Sequence, residues 1–433
     1  MRLLMTALGS YGDVYPIVGL GAAMLARGHQ VAILTNPHFR GVVESAGLEL
    51  LPLGTTEQYI ELAHHKDLWH PFYGPTMVLR TTTEMTLRPI YDHLELQYQP
   101  GETVFVAHGL DLASRVFQEK HDVPMASIHL APLGLRSFHE SPLMFGMLMA
   151  DWLPRWFRQA QYWLADKYLD RLVAPELNKL RKEQRLPPVS GIFRSWYFSP
   201  QLVLGLFPDW FAASQPDWPA NTRLSGFPLW DQSETQGMAE DVLQFLDAGE
   251  PPLVFAPGSA MTSGGKFFAA AIEACQRLQR RGMLLTKYPD QLPRDLPSGV
   301  QHFSFVPFSQ LLPRAAALVH HGGIGTSAQA LAAGVPQVVM PMAYDQLDNA
   351  NRLKRLGVAQ FIHRHKFRGP RLAKSLDKLL RSDATQKNCQ RWAAKLDANT
   401  PLAEACEQLE ELFSHQNSQA NTKTDRHAVR NAR

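Results

Sequence analysis

Short runs of apolar and β-branched residues alternate with longer stretches of helical spacing along most of the chain. In the first half the runs are RLLMTAL (2–8), HQVAILT (29–35), LELLPL (48–53), TVFVAH (103–108) and PMASIHL (124–130). The second half supplies PLVFAP (252–257), MLLTKY (283–288), VQHFSFVP (300–307), AALVHH (316–321), PQVVMP (336–341) and VAQFI (358–362). Runs of this kind with helices between them predict parallel sheets covered on both faces. Each half opens alike, with a strand, a glycine-bearing turn (GSYGD at 9–13, APGSA at 256–260) and then a helix. The pattern predicts two doubly wound α/β domains in tandem. Turn residues and charges replace apolar runs near FPLWDQSETQGMAE (227–240), which sets the domains at 1–232 and 233–414. The closing stretch 385–414 has helical spacing and is expected to pack partly back on the first domain. Between the halves, Trp196, Trp210, Trp218 and Trp230 stand among five prolines, a density that forbids a long helix and reads as a rigid connection beside a domain interface.

Composition narrows the class. With 433 residues, 45% of them hydrophobic and 19% charged, the chain has enough apolar material for two globular cores. The net charge of +3 lies in the tail 415–433, where Lys423, Arg426, Arg430 and Arg433 face only Asp425. The body is formally neutral, which argues against a nucleic-acid groove, and the tail reads as disordered. Three scattered cysteines fit a reducing compartment. The N-terminus reads as a first strand, not a signal peptide, and no run is long enough to span a bilayer. A cytoplasmic location is expected.

The stretch VHHGGIGTSAQALAAGVP (319–336) puts very little side chain between a strand and a helix that stops at Gly334. A helix N-terminus there offers free N–H groups and a partial positive charge, the usual seat of a phosphate. Gly322, Gly323 and Gly325 would let a diphosphate approach the backbone, Thr326 could cap the helix or donate its hydroxyl, and His321 could donate a ring N–H. Glycine turns also occur in parallel sheets for topological reasons alone. One βα unit later, Asp345 and Gln346 follow the strand 336–341 at the sheet's carboxyl edge. A carboxylate beside an amide suits vicinal hydroxyls of a sugar; an N-cap aspartate beside a surface glutamine is the plainer alternative. Together the two clusters suggest a sugar carried on a nucleoside diphosphate.

These segments resemble the nucleotide-sugar glycosyltransferases of the GT-B fold, family 1. The resemblance rests on Gly12-Asp13-Val14 with Pro16, on the run His320 to Thr326, and on Asp345-Gln346 with Asn349-Ala350. It implies two Rossmann-like domains facing a cleft, the first for the acceptor and the second for the donor. By the same likeness Phe305 would lie against the base, the Val306 backbone would read its edge, and Gly258 and Ser259 would meet the phosphates. The stretches SPQLVLGLFPDWFAASQPDWP, GFPLWD and DNANRLKRLG are similar to rhamnosyltransferases that make rhamnolipids. That likeness implies inverting, metal-independent transfer of rhamnose from dTDP-L-rhamnose to a 3-(3-hydroxyalkanoyloxy)alkanoate. UDP-glucose with a hydroxy-fatty acid, sterol or natural-product acceptor is the alternative.

Inversion requires a base for the acceptor hydroxyl. Asp13, at the tip of the first βα turn, is the expected base, and His108, ending TVFVAH, its expected partner; an N-cap and a satisfied core histidine are the plainer readings. The chain contains no Asp-x-Asp pair, so leaving-group charge would fall to the glycine loop, and neither metal nor cofactor is expected. The Met- and Trp-rich stretch 141–164 reads either as ordinary helix packing or as a slot for acyl chains, with Met144, Met147 and Trp152 on one wall and Trp69 on the other. A peripheral contact with the inner face of the membrane is compatible with such an acceptor. A nicotinamide-dependent oxidoreductase would want G-x-G-x-x-G after the first strand and an acid ending the second, and the chain has GSYGDV and ILTN. A sugar-nucleotide epimerase and a non-catalytic nucleotide-sugar binder remain as rivals.

Overall fold

In the computed structural model the described residues are 1–150, 152–233, 237–397 and 399–431, with side chains as far as residue 415. The first sheet holds β1 (Arg2–Thr6), β2 (Gln30–Thr35), β3 (Glu49–Pro52), β4 (Thr103–His108), β5 (Met125–His129), β6 (Leu202–Gly205) and β7 (Thr222–Leu224). The second holds β8 (Leu253–Ala256), β9 (Gly282–Leu285), β10 (Val300–Phe303), β11 (Ala317–His320), β12 (Gln337–Val339) and β13 (Ala359–Phe361). The strand orders are β3-β2-β1-β4-β5-β6-β7 and β10-β9-β8-β11-β12-β13, and every pairing is parallel. The strands are apolar on both faces because helices cover both, and β4, β5, β8 and β11 are buried at every position.

The chain order reverses once in each sheet. In the first, β1 sits between β2 and β4, with Leu3 opposite both Val31 and Val104. In the second, β8 and β11 are neighbours, with Phe255 opposite Val319. Helices leave opposite faces of the sheet on the two sides of such a point, which opens a crevice at the strands' carboxyl ends. Asp13 and His108 flank the first crevice, and Gly258 and His321 flank the second.

Two strands went unforeseen. The region 195–230, read as a rigid connection, contains β6 and β7. Its prolines bracket LVLG and do not interrupt it, so the four-residue run pairs with β5 through Val203 and Ser127. The closing helix Thr400–Asn431 does return to the first domain: Ala405, Cys406 and Leu409 join the core formed with Leu3, Val14 and Val18. Glu410 ties it down through Arg27 at 2.6 Å and His29 at 2.9 Å. The Arg27 guanidinium, with His29 in support, holds the Glu410 carboxyl down at about 2. The tail expected to be disordered continues this helix as far as Asn431; its side chains beyond 415 and residues 432–433 lie outside the described residues. No helix of the described residues is long and apolar enough to cross a membrane.

Candidate active site

A cavity of about 750 Å³ connects the two crevices. At its centre the helix Tyr11–Ala26 begins with a capping box: the Ser10 N–H donates to Asp13 Oδ2 at 2.7 Å, and Ser10 Oγ accepts from the Gly12 N–H at 3.3 Å. Gly9, at φ +130°, makes the turn, and a Cβ there would stand 2.3 Å from Asp13 Oδ2. The second oxygen, Oδ1, lies 3.7 Å from His108 Nε2. One oxygen of Asp13 thus serves the capping box, whose N-cap is Ser10, and the other faces His108.

His108 is oriented from behind. Its Nδ1 accepts the Leu110 N–H at 3.3 Å, which leaves the ring proton on Nε2, toward Asp13, while the ring is neutral. Its backbone N–H donates to Thr6 Oγ1 at 2.9 Å, and Thr6 Oγ1 donates to Asp111 Oδ2 at 2.9 Å. Asp111 is buried and also accepts from Ser114, and burial raises its carboxyl above the ordinary range. Thr6, Asp111 and Ser114 escaped the sequence reading because strand and helix positions of these types are common and carry no spacing signal. His129, at the end of β5, also lines the cavity, and burial keeps its ring neutral with a pKa of about 3.

On the donor side, the scarcity of side chain has a physical reason. The His321 ring is wedged between two loops. A Cβ on Gly258 would come 3.0 Å from its Cε1, and one on Gly323 would come 2.6 Å from its Nε2. Gly322, at φ +98°, would drive a Cβ to 2.8 Å from Val339 Cγ1 and 3.1 Å from the Gln346 carbonyl. His320 points into the core, where Nδ1 accepts the Gly322 N–H at 3.1 Å and Nε2 donates to Gln337 Oε1 at 2.9 Å. Burial lowers both rings, His320 to about 3 and His321 to about 4, so both are neutral at pH 7. The helix Ile324–Ala332 starts behind Gly323, and its first N–H groups, at Ile324, Gly325 and Thr326, have no intrahelical partner. Thr326 lies inside the first turn, so its expected capping role passes to the Gly323 backbone, while its side chain lines the cavity.

Asp345 and Gln346 also line the cavity, with qualifications. Asn349 Nδ2 donates to Asp345 Oδ2 at 2.7 Å and to the Gly322 carbonyl at 2.9 Å, tying the two donor loops together. Burial first, and the charge of Asp13 second among the raising causes, push the Asp345 carboxyl up to about 7. Gln346 Oε1 is taken by the N–H groups of Met342 at 2.8 Å and Ala343 at 3.2 Å, which leaves the amide N–H₂ for a ligand. Ser259, Phe305 and Val306 line the same end.

The far arm of the cavity runs into the first domain, between the helices Tyr73–Gln97 and Arg155–Glu183. Val78 and Met85 line it from one, Tyr162, Ala165 and Leu169 from the other, and Met144 and Phe193 complete it. Three expected acceptor residues need correction. Met147 is off the cavity and Trp152 is 83% exposed, because 142–150 and 152–153 are not helical and their side chains follow no regular spacing. Trp69 lines the cavity from the donor side. Its Nε1 donates to the Ala260 carbonyl at 3.2 Å, and its ring meets those of His321 at 6.2 Å and Tyr344 at 5.8 Å. Tyr344 OH in turn donates to the Leu68 carbonyl at 2.8 Å, so a first-domain segment is strapped across the donor loops.

Comparison with known proteins agrees with this layout. Residues 3–98 match the glycosyltransferase family 28 N-terminal domain, and residues 285–412 match the erythromycin biosynthesis protein CIII-like C-terminal domain. Glycosyltransferase GtfE of Amycolatopsis orientalis is 30% identical over 369 residues, 83% of this chain and 85% of that one. The chain belongs to the GT-B family 1 glycosyltransferases. This glycosyltransferase is also 29% identical over 370 residues to the O-mycaminosyltylonolide 6-deoxyallosyltransferase of Streptomyces fradiae, with 83% and 85% of the two chains covered. Among solved structures, the kitacinnamycin glycotransferase superposes with a TM-score of 0.73 at 20% identity, covering 95% of this chain and 98% of that one.

Proposed function

We propose that this glycosyltransferase moves a sugar, with inversion, from a nucleoside-diphosphate donor to the hydroxyl of a lipid acceptor. The observation that carries the reading is the continuous cavity. It begins at the bare N-terminus of the helix Ile324–Ala332, passes Asp13, and ends in an apolar arm. The donor's diphosphate rests on that helix end, between the loops of Gly258 and His321, with the base against Phe305. The sugar hydroxyls meet Asp345 and the free amide nitrogen of Gln346. Asp13 Oδ1 takes the proton of the attacking hydroxyl, and His108 Nε2–H orients and balances that carboxylate. Charge on the leaving diphosphate is met by the helix N–H groups and dipole, without a metal ion.

Sequence likeness favours dTDP-L-rhamnose and a 3-(3-hydroxyalkanoyloxy)alkanoate, and the apolar arm suits the acyl chains. Similarity to the O-mycaminosyltylonolide 6-deoxyallosyltransferase and to the erythromycin biosynthesis protein CIII-like domain favours a second reading, a polycyclic natural-product acceptor in the same arm. Purified enzyme is given dTDP-rhamnose or UDP-glucose with each acceptor class, in the presence of EDTA, and products are read by mass spectrometry. Glycosylated hydroxyacyl acid from dTDP-rhamnose supports the first reading. Transfer only to polycyclic acceptors supports the second. Donor cleavage that requires no acceptor, or strict dependence on added Mg²⁺, refutes the mechanism.

A further inference from the structure

The helix Arg155–Glu183 presents apolar residues on two sides. Tyr162, Ala165 and Leu169 face the cavity. On the other side Trp156 is 67% exposed, Trp163 56%, Leu164 61% and Tyr168 50%. Leu148, itself exposed, is held beside this helix by the Gln161 amide, which bonds its N–H at 2.7 Å and its carbonyl at 2.8 Å. A surface helix normally keeps one polar face. An aromatic face left open on a soluble domain marks a contact site.

Charge decides what the contact is. Arg155, Lys167 and Arg171 are exposed along this stretch, and Lys167 Nζ sits 5.9 Å over the Trp163 ring. The acids of the same stretch turn inward: Asp166 pairs with Arg136 at 2.7 Å, and Asp170 accepts the N–H groups of Gly191 at 2.6 Å and Ile192 at 3.0 Å. What remains outside is tryptophan, tyrosine and cations. Tryptophan and tyrosine rings settle at the headgroup level of a bilayer, and each nearby cation strengthens binding to anionic lipid about fivefold.

We propose that this face docks on an anionic lipid surface, holding the acceptor arm directly behind the helix that touches the bilayer. The purpose of the contact rests on the lipid-acceptor reading; the contact itself does not, and it is tested without donor or acceptor. The full chain is sedimented with vesicles of phosphatidylcholine plus phosphatidylglycerol, or of phosphatidylcholine alone, at low and high salt. Binding should be more than tenfold tighter to the anionic vesicles at low salt. Trp156→Ser with Trp163→Ser, and separately Lys167→Glu with Arg171→Glu, should each weaken it at least tenfold. Donor binding and thermal midpoint should stay unchanged in both. Absence of vesicle binding by the wild type, or binding that neither pair of substitutions affects, overturns the proposal. So does a dimer in light scattering that the tryptophan substitutions dissociate, which assigns the face to a second copy of the chain.

Discussion

Replacing Asp13 with asparagine separates its two jobs, because each oxygen has one. Oδ2 accepts the Ser10 N–H at 2.7 Å, and an asparagine Oδ1 fits that position with little change of shape. The capping box would survive, and the loss of a negative charge at a helix N-terminus costs about 0.3–1 kcal/mol. Spread over a domain of this size, that lowers the melting midpoint by about 4 °C at most. The other oxygen becomes an amide nitrogen that cannot take a proton from the acceptor. Loss of a general base raises the barrier by about 2.7–5.4 kcal/mol, a fall in kcat of roughly 10²–10⁴. Single-turnover transfer with saturating donor, alongside differential scanning calorimetry, measures both quantities on one preparation. The expected result is a fall in kcat of at least about a hundredfold with donor affinity and melting point nearly intact. A kcat within about threefold of wild type would mean that the carboxylate is only a cap. A melting point lowered by ten degrees or so would mean that the lost activity reports unfolding.

Two further outcomes follow from the same geometry. Trp69→Ala removes the bond to the Ala260 carbonyl and the ring above His321, so donor KM should rise about tenfold while acceptor KM stays near its original value, since one buried contact of this kind contributes about 1–1.5 kcal/mol. Steady-state kinetics with each substrate varied reads this directly, and the reverse pattern would return Trp69 to the acceptor wall. Stability should also fall between pH 7 and pH 5. His129, His320 and His321 have folded-state values of about 3, 3 and 4, whereas the unfolded chain binds protons near its ordinary value of about 6.5. Below that value the unfolded state holds more protons, and each ring removes up to about 1.4 kcal/mol per pH unit. Asp345, raised to about 7, works in the opposite sense, gaining stability as pH falls from 7 toward 4, and offsets one of the three. Urea midpoints across this range should therefore drop, and a flat profile would contradict neutral, buried rings.

Much of the donor half was legible because its signals are local. Gly322 needs a positive φ, Gly258 and Gly323 leave room for one ring, and a strand followed by a bare helix start sits within a dozen residues. Glycine has few reasons to be at such places, so its presence is informative. The acceptor half carries no such signal. Met144 lines the arm and Met147 does not, because 142–150 is not helical and richness in Met and Trp does not say which side chains of such a segment face inward. Trp69 reaches the donor loops only because the two domains face each other, and no periodicity within one domain encodes that arrangement. β6 was hidden by the prolines around it, although its own four residues are plainly apolar.

The arrangement of the domains also couples chemistry that the sequence keeps more than 300 residues apart. Asp13 closes the first crevice and Asp345 the second, and the charge of the one helps to raise the carboxyl of the other. In the proposed mechanism the base and the carboxyl that meets the sugar thus share one electrostatic field. Binding a donor whose hydroxyls satisfy Asp345 would favour its ionised form. That added negative charge would then stand in the same cavity as Asp13 when the acceptor arrives. Asp345→Asn removes the carboxyl that burial raises to about 7, and the pH profile of kcat/KM for the acceptor should move on that substitution. An unshifted profile would show that the two carboxyls act independently.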